Sequence, residues 1–215
     1  KGGDVIRFLM DINNQSFSEV IEEQASILGI ELPKKNKNSQ VFKEEKTRLY
    51  DAMDLACKFY KKNLEGNSKA LEYLSKRGIN EVAIGKFSLG LAGKSNELKN
   101  YLTNLGFTID ELNKAGLVYE KDNIFYDRFK NRIIIPIKDI NSNTVAFGAR
   151  AIVEGQMPKY INSPETIIYN KSSVLFGINR AKDAIKERDG VIFMEGYFDV
   201  ISAHLGGVEN AVATC

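Results

Sequence analysis

The sequence predicts an α+β protein with a helical N-terminal section, a mixed α/β basic section and the beginning of an α/β domain. In the first half of the chain, apolar residues recur at helical spacing. From residue 116 onward, short segments rich in Ile, Val, Phe and Tyr are separated by Asn, Asp and Ser, which is typical of strands. Near the end, a strand, a helix and a second strand follow one another, and this order predicts parallel pairing.

The composition indicates an ordinary globular protein. The 215 residues are 43% hydrophobic and 27% charged, which is enough apolar material for a core in one or two domains. No run approaches the ~20 consecutive apolar residues that a membrane span needs. The N-terminus, Lys1–Asp4, has neither an initiator Met nor the layout of a signal peptide, so we expect the chain to begin inside a longer protein.

Cysteine and histidine are scarce, since Cys57, Cys215 and His204 are the only ones. We therefore expect no disulfide framework and no thiol–imidazole metal site, and a reducing, cytoplasmic setting is favoured. Cys57 falls near the apolar stripe of a predicted helix and is interpreted as a core residue. His204 has no evident partner in the sequence, and Gly90–Gly93 lacks the lysine of a nucleotide-binding loop at the required spacing.

Charge is unevenly distributed although the net charge is only +2. Residues 126–171 contain seven Lys or Arg and four Asp or Glu side chains, whereas residues 1–33 contain two and six. The basic middle of the chain is compatible with an anionic partner.

The first section is predicted to form two helices followed by a linker. Val5–Met10 has helical spacing, and Ser16 or Ser18 can cap a second helix that ends at Gly29. Residues 34–42 are polar, rich in lysine and without periodicity, so they are the best linker candidate.

A long helix is predicted from about Glu44 to Glu65, because apolar residues fall on one stripe and charged residues fill the other face. Ser68 can cap a further helix that ends at Arg77-Gly78. Short helices are predicted at 80–85, 95–105 and 108–114.

The second half is predicted to contain strands and the closing strand–helix–strand unit. Residues 141–143 are expected to form a hairpin loop, and a helix follows Gly177. The predicted strands are 116–119, 124–126, 132–138, 144–150, a buried strand at 190–195 and a last one from Asn210, with a helix at 196–205 between the last two.

The first motif that could carry chemistry is Val191–Asp199. Glu195 would end a parallel strand, which is where open α/β sheets place ligands, and Asp199 follows about one helical turn later. Gly196 permits a tight exit turn, and the helix N-terminus favours anions such as phosphates. Two carboxylates there suit a divalent cation or acid/base catalysis. The alternative is that both acids only complement the helix dipole.

The second motif is basic. In an extended strand, the alternation in Tyr126–Arg132 would place Arg128, Lys130 and Arg132 on one face. With Arg150 and Lys159, and beside the rings of Tyr126, Phe129 and Tyr160, this row suits a single nucleic-acid strand, whose phosphates need charge and whose bases can stack. The alternative is a solvated sheet face.

These motifs occur together with others in a characteristic order. Their order and spacing resemble the RNA polymerase core of bacterial DNA primases of the DnaG type, and residues 2–33 resemble the tail of that family's N-terminal zinc-binding domain. The segments that carry the resemblance are Leu74–Ile79, Phe87–Ala92, Tyr126–Ile137, Phe147–Arg150, Pro158–Thr166, Lys171, Leu175–Gly177 and Glu195–Asp199.

The resemblance implies a primase, a nucleotidyltransferase that joins ribonucleoside triphosphates into short RNA primers on a single-stranded DNA template during replication. It implies Mg²⁺ or Mn²⁺ in a TOPRIM domain and a replicative helicase as partner, through a region outside this sequence, with a cytoplasmic, nucleoid-associated location and no membrane. The implied domains are the end of the zinc-binding domain (1–33), the linker (34–42), the basic subdomain (43–186) and the start of the TOPRIM domain (187–215).

The resemblance also implies the roles of single residues. Glu195 would be the catalytic TOPRIM glutamate and, with Asp199, part of the metal site. The zinc ligands would lie before Lys1, so no zinc is expected in this chain. The residues that would bind nucleic acid or triphosphate are Arg77, Arg128, Lys130, Arg132, Arg150, Lys159, Tyr160, Asn162 and Lys171.

The sequence departs from the family pattern in several places. Lys130 stands where arginine is common, which keeps the charge but loses the planar fork. Ala149 replaces a usual glycine. The Asp-x-Asp that supplies the main metal ligands would lie beyond Cys215, so we expect the isolated chain to be an incomplete, inactive part of the enzyme.

Two other classes of protein remain open from the residues alone. A TOPRIM nuclease or topoisomerase shares the Glu195 strand, turn and helix, but it does not explain the motifs Tyr126–Arg132 and Pro158–Thr166. A non-catalytic single-strand-binding module would use the basic row while Glu195 stayed structural.

Overall fold

A computed structural model describes residues 4–13, 15–30, 32 and 37–215. It has the predicted α+β fold and separates into two compact units, Lys1–Lys43 and Glu44–Cys215. None of the helices in these described ranges is both long enough and apolar enough to cross a membrane.

The first unit contains α1 (Val5–Asn13) and α2 (Phe17–Leu28), as the apolar spacing predicts. The cap of α2 is Ser16, not Ser18. The Ser16 hydroxyl accepts a hydrogen bond from the backbone N–H of Glu19, whose carboxylate accepts one from the backbone of Ser16 in return. Gly29 ends the helix with a φ of 66°, in the left-handed region that glycine adopts without strain.

Helix α3 (Lys37–Glu65) begins earlier than the predicted Glu44. Residues 37–42 of the predicted linker are therefore helical, while 34–36 lie outside the described residues. The segment from Lys37 to Lys43 contains no Gly or Pro, so nothing in it stops the helix. The apolar stripe of α3 is fully buried at Leu49, Met53 and Leu64.

Four shorter helices follow in the same order as predicted. The cap of the first is Asn67 rather than Ser68, because the Asn67 amide oxygen accepts the hydrogen bond from the backbone N–H of Ala70. These helices are α4 (Ser68–Ser75), α5 (Glu81–Phe87), α6 (Glu97–Asn104) and α7 (Ile109–Lys114).

The central sheet is antiparallel and consists of β1 (Gly90–Ala92), β4 (Arg132–Lys138), β5 (Thr144–Ala151) and β6 (Tyr160–Asn162), paired in that order. The hairpin between β4 and β5 has the predicted position, with Ser142 at a φ of 70°. A separate hairpin joins β2 (Val118–Lys121) to β3 (Ile124–Asp127). Sequence analysis missed β1 and β6, which have three residues each and no alternation long enough to detect.

Both faces of the central sheet are buried, which explains why β4 is apolar along its length. Ile134 and Phe147 belong to one apolar cluster, which also includes residues of α3, α6 and α7. Ile133 and Ile135 belong to a second cluster, which includes residues of α4, α5 and the C-terminal part of the chain. The alternation of the strand thus directs successive isoleucines into different clusters.

The C-terminal part consists of β7 (Leu175–Phe176), α8 (Ile178–Arg188), β8 (Ile192–Met194), α9 (Tyr197–Leu205) and β9 (Ala211–Thr214). The predicted parallel pairing of β8 with β9 is confirmed, while β7 pairs with β9 in the antiparallel sense and was not predicted.

The prediction that the strand at 190–195 is buried is wrong. Ile192 is 42% exposed and Phe193 is 60% exposed. Within the described residues β8 pairs only with β9, so it forms an edge of its three-stranded sheet.

Candidate functional site

The turn between β8 and α9 carries the two predicted acidic residues. Glu195 directly follows the strand, and Asp199 lies in the first turn of the helix. Both are exposed and both line one cavity of about 450 Å³, together with Tyr160, Asn162 and Tyr197. Neither carboxylate has a hydrogen-bond or ion-pair partner in the described part of the chain, so both are available to a ligand.

Gly196 lets the Asp199 carboxylate lie close to the backbone of the turn. A Cβ atom at residue 196 would lie 2.7 Å from Oδ2 of Asp199, so a larger residue would make this carboxylate rotate away. This carboxylate lies at the N-terminal end of α9, where the helix dipole favours negative charge.

Tyr197 joins this acidic turn to the central sheet. Its hydroxyl accepts a hydrogen bond of 2.9 Å from Nδ2 of Asn162 in β6. Its ring lies against Gly148 of β5, where a Cβ atom would be 2.4 Å from the ring. Burial raises the pKa of the Tyr197 phenol, and Cys215 raises it further, so the hydroxyl stays neutral.

Arg150 is a predicted basic residue that side chains from three elements hold in place. It is only 5% exposed, and its Nε donates a hydrogen bond of 2.5 Å to the hydroxyl of Tyr73 in α4. Its guanidinium lies 4.6 Å from the ring centroid of Tyr160 and 5.4 Å from that of Phe198. No acidic residue in the described ranges forms a salt bridge with it.

A second cavity adjoins the first at Asp199. It has a volume of about 500 Å³ and is lined by Tyr73, Lys76, Arg77, Phe198, Asp199 and Ser202. The exposed Arg77 guanidinium lies 5.0 Å from the ring centroid of Tyr73. The structure therefore brings Arg77 into one cavity with Asp199 and Arg150 against Phe198, the residue before Asp199, although the arginines are distant from this turn in sequence.

The prediction that Arg128, Lys130 and Arg132 share one face of a strand is wrong. Strand β3 ends at Asp127 and β4 begins at Arg132, so the intervening residues connect two separate strands. Asn131 has a φ of 51°, which breaks the alternation that an extended strand would have.

The two arginines of this segment contact the protein backbone. Arg128 donates from Nε to the carbonyl oxygen of Gly116 at 2.9 Å, and Arg132 donates to that of Lys159 at 3.3 Å. Burial lowers the pKa of both guanidinium groups. Phe129 is also buried, in an apolar cluster, so it cannot stack on a base as the sequence suggested.

The predicted lysines are more accessible. Lys130 is half-buried, with Nζ 4.8 Å from the ring centroid of Tyr126. Lys159 is exposed and lines a third cavity of about 330 Å³, of which Tyr73 also forms part. Lys171 is exposed, and its backbone N–H donates to the Glu165 carboxylate at 3.2 Å.

Tyr73 and Phe198 are site residues that sequence analysis missed. Phe198 lies inside the acidic motif, between Glu195 and Asp199, and no pattern in the sequence indicates that its ring faces an arginine. Tyr73 lies on α4, four residues before Arg77, which follows the end of that helix. On a continuous helix this spacing puts two side chains on the same face. That spacing was the only local signal for Tyr73.

Asp127 is buried inside the basic motif and has a structural role. Its carboxylate accepts hydrogen bonds from the backbone N–H groups of Leu98 at 3.0 Å and Lys99 at 2.9 Å, which lie in the first turn of α6. The side chain of Asn96, the residue preceding α6, makes no such bond. Burial nevertheless raises the pKa of Asp127.

Cys57 and His204 both lie in the interior. Burial raises the pKa of the Cys57 thiol and lowers that of the His204 imidazole. His204 has a partner that the sequence did not reveal, because its Nε2 lies 2.9 Å from the carbonyl oxygen of Ala211.

Comparison with known proteins gives a consistent result. Residues 59–182 match the family described as DNA primase catalytic core, N-terminal domain. The DNA primase of Rickettsia felis is 39% identical over 213 residues, which are 99% of this chain and 35% of that protein. This chain thus spans about a third of the length of the curated relatives that it matches.

Two solved structures are similar in fold and sequence. The RNA polymerase domain of the Mycobacterium tuberculosis primase, in complex with a double-stranded DNA oligomer that has a 6-nucleotide overhang, matches with a TM-score of 0.75 and 38% identity over 79% of this chain and 54% of that chain. The zinc-binding and RNA polymerase domains of the Aquifex aeolicus primase match with a TM-score of 0.74 and 34% identity, over 100% of this chain and 52% of that chain.

Proposed function

The chain belongs to the family of DNA primase catalytic cores, and from this premise we propose that its protein synthesises short RNA primers on single-stranded DNA. The reaction joins ribonucleoside triphosphates along a template. Because the chain spans about a third of its relatives' length, primer synthesis belongs to the full-length protein, to which this chain contributes part of the site.

The observation that carries the proposal is the position of Arg150 beside the acidic turn. Tyr160 covers the guanidinium of Arg150 and lines the same cavity as Glu195 and Asp199. A cation for phosphate and two carboxylates for a metal ion are thus held by neighbouring walls of one site. Nucleotidyl transfer needs both, since the phosphates of the substrate carry the charge that must be neutralised.

We assign the acidic part to Mg²⁺ or Mn²⁺ binding. Carboxylate oxygens are the ligands that these ions prefer, so Glu195 and Asp199 fit. In the part of the chain that the structure describes, no group of three or more Asp, Glu, His or Cys side chains could hold an ion alone. We therefore propose that Glu195 and Asp199 supply part of a larger ligand set. A bound ion would neutralise charge on the phosphates during transfer.

We assign the basic part to phosphate groups of the template or the triphosphate. The support is that the Mycobacterium tuberculosis relative was solved with DNA that has an overhang. Arg77 and Lys159 are exposed at cavities that adjoin Tyr73, and Asn162 and Tyr160 line the acidic cavity. The other members of this part are Lys130 and Lys171, while Arg128 and Arg132 would act through the backbone that they support.

The domain assignment and the remaining partners follow from the same family premise. We propose that residues 187–215, with the parallel pair β8 and β9, begin a TOPRIM domain and that residues 43–186 form the basic subdomain. An RNA primer as product and a replicative helicase as partner are part of the proposal for the full-length protein.

The proposal is tested by Glu195→Gln in the full-length protein. The substitution removes one carboxylate charge with little change in shape, so we expect primer synthesis to fall by at least about 100-fold, while binding of a single-stranded oligonucleotide stays within a factor of about two. Glu187→Gln, on the exposed face of α8, is the control and should retain activity. Primer synthesis close to wild type in Glu195→Gln would show that Glu195 only complements the helix dipole. A wild-type protein that makes no primers would leave a non-catalytic single-strand-binding module as the better description.

A further inference from the structure

Arg150 is an unusual arginine because it is buried without an acidic partner. Buried arginines are normally paired with a carboxylate, since removing the charge from water is costly. Here only 5% of the residue is exposed, and among the described residues it makes no salt bridge. The structure therefore maintains a cation in a place where the fold itself does not neutralise it.

Three side chains from three elements fix the plane of this guanidinium. The Tyr73 hydroxyl from α4 accepts the hydrogen bond from Nε, while the rings of Tyr160 from β6 and Phe198 from α9 lie within cation–π distance. These contacts engage Nε of Arg150 and the guanidinium group as a whole, over the two rings. The two terminal amino groups, Nη1 and Nη2, are left for another ligand.

The chemistry of that ligand follows from the two free amino groups of Arg150, Nη1 and Nη2. Two parallel N–H donors on a planar cation match two oxygens of a phosphate group, which is the geometry of a bidentate contact. Tyr73, Tyr160 and Phe198 each line a cavity that adjoins the group. A phosphate in either cavity would lie near Asp199, which lines both.

We propose that Tyr73 is a positioning residue, which holds Arg150 by its Nε so that Nη1 and Nη2 face a phosphate group of the nucleotide substrate or of the template strand. The inference rests on the proposed function, because it deepens the role of the same site. Without the Tyr73 hydroxyl, Arg150 keeps its charge and its stacking partners. It loses the hydrogen bond at Nε that fixes the orientation of the guanidinium plane.

The test is Tyr73→Phe in the full-length protein, which removes one oxygen atom and keeps the ring over which Arg77 lies. We expect either the KM for ribonucleoside triphosphates or the Kd for a labelled single-stranded DNA oligonucleotide to rise about 3- to 10-fold, with kcat changed by less than about twofold. A rise in KM alone assigns the phosphate to the triphosphate, and a rise in Kd assigns it to the strand.

The matched control is Tyr101→Phe. Tyr101 of α6 stacks on Phe59 of α3, and its hydroxyl has no hydrogen-bond partner in the described ranges. It should change neither constant. Arg150→Lys supplies the second arm, because lysine keeps the charge but has no Nε donor and no fork. In that background, Tyr73→Phe should have no further effect, as expected of residues that act through one another.

Three results would overturn the inference. The first is that Tyr73→Phe leaves both constants at their wild-type values. The second is that it weakens binding equally in the wild-type and Arg150→Lys backgrounds. The third is that it weakens binding only together with a lower Tm, which would make Tyr73 merely a structural contact. If the wild-type protein makes no primers, the proposed function fails, but titrations with ATP and with the oligonucleotide still decide the role of Tyr73.

Discussion

The Arg48–Glu111 pair shows what a single residue contributes outside the site. Arg48 of α3 contacts Glu111 of α7 with an Nε–Oε1 distance of 2.8 Å. The Glu111 carboxylate also accepts a hydrogen bond of 2.7 Å from the backbone N–H of Thr108, the cap of α7. The Arg48 guanidinium and the Thr108 cap together lower the pKa of Glu111 to about 2. One carboxylate thus caps a helix and attaches it to the long helix of the unit.

This shift predicts a pH dependence of stability. A carboxyl group with a lowered pKa in the folded state stabilises the fold above its unfolded pKa, about 4.5, and loses that contribution as the pH falls towards the folded value of about 2. Glu111→Gln should therefore lower the free energy of unfolding by about 1 kcal/mol near neutral pH, and the difference from wild type should shrink between these two values. Urea unfolding measured across this range tests the prediction.

The control for this prediction is Glu120→Gln, at an exposed position of β2. It should leave stability unchanged throughout. A difference between wild type and Glu111→Gln that stays constant down to the acid end would show that the ion pair does not set the pKa.

At the scale of elements, the contact between β5 and α9 determines where the acidic turn lies. Gly148 of β5 leaves room for the ring of Tyr197, whose hydroxyl accepts a hydrogen bond from Asn162 in the neighbouring strand β6. Gly196 is the N-cap of the same helix, which carries Asp199 in its first turn. The position of the metal-binding candidates relative to Arg150 therefore depends on one close approach between a strand and a helix.

We predict that Gly148→Ala destabilises the protein. The added Cβ would lie 2.4 Å from the Tyr197 ring, and overpacking of this kind costs about 1–3 kcal/mol. The matched control is Gly85→Ala, because a Cβ on Gly85 in α5 meets nothing within 4 Å and alanine is favoured in a helix by about 0.5–1 kcal/mol. Thermal unfolding should show a lower Tm for the first variant and an unchanged or higher Tm for the second.

A Gly148→Ala variant that is as stable as wild type would show that α9 can move away from β5 without cost. In that case the position of Asp199 would not be fixed by Gly148. The neighbouring residue Ala149 points to the opposite face of the sheet, where its Cβ is buried in the apolar cluster that contains Phe147. Of these two small residues, only Gly148 therefore contacts Tyr197.

At the scale of the whole molecule, the basic residues form a surface only because distant segments fold together. Arg77 comes from the turn after α4, Lys159 from the segment before β6, and Lys171 from the segment before β7. All three belong to the unit Glu44–Cys215, where Arg77 lines a cavity with Asp199 and Lys159 lines one with Tyr73. A phosphate backbone that follows this surface would contact cations from several elements, and its binding would depend on salt.

We therefore predict a measurable salt dependence of single-stranded DNA binding. Each phosphate contact on a single strand contributes about 0.7 to the slope of log affinity against log salt. Lys159→Ala should weaken binding and make that slope shallower by about 0.7, as fluorescence anisotropy of a labelled oligonucleotide would show. Lys121→Ala, at the tip of the β2–β3 hairpin, is the control and should leave the slope unchanged. Equal effects of the two variants would mean that the charge is spread diffusely and no groove exists.

The sequence by itself determined the elements whose signals are local. The cap at Ser16, one of the two candidates, the glycine stop at Gly29 and the parallel pair β8 and β9 agree with prediction, because caps and periodicity depend on residues a few positions apart. The ordered motifs also identified the family, which the match over residues 59–182 confirms. Even so, short strands such as β1 and β6 were missed, because three residues carry too little pattern.

Only the tertiary structure decided what each charged side chain contacts. Alternation in the sequence placed Arg128 and Arg132 on an exposed face, but both donate to backbone carbonyls because the chain turns between β3 and β4. The bond from Arg150 to Tyr73 joins residues 77 positions apart, and the exposure of β8 depends on its having one neighbour. Burial and hydrogen-bond partners are set by elements that meet across the fold, and no local pattern encodes them.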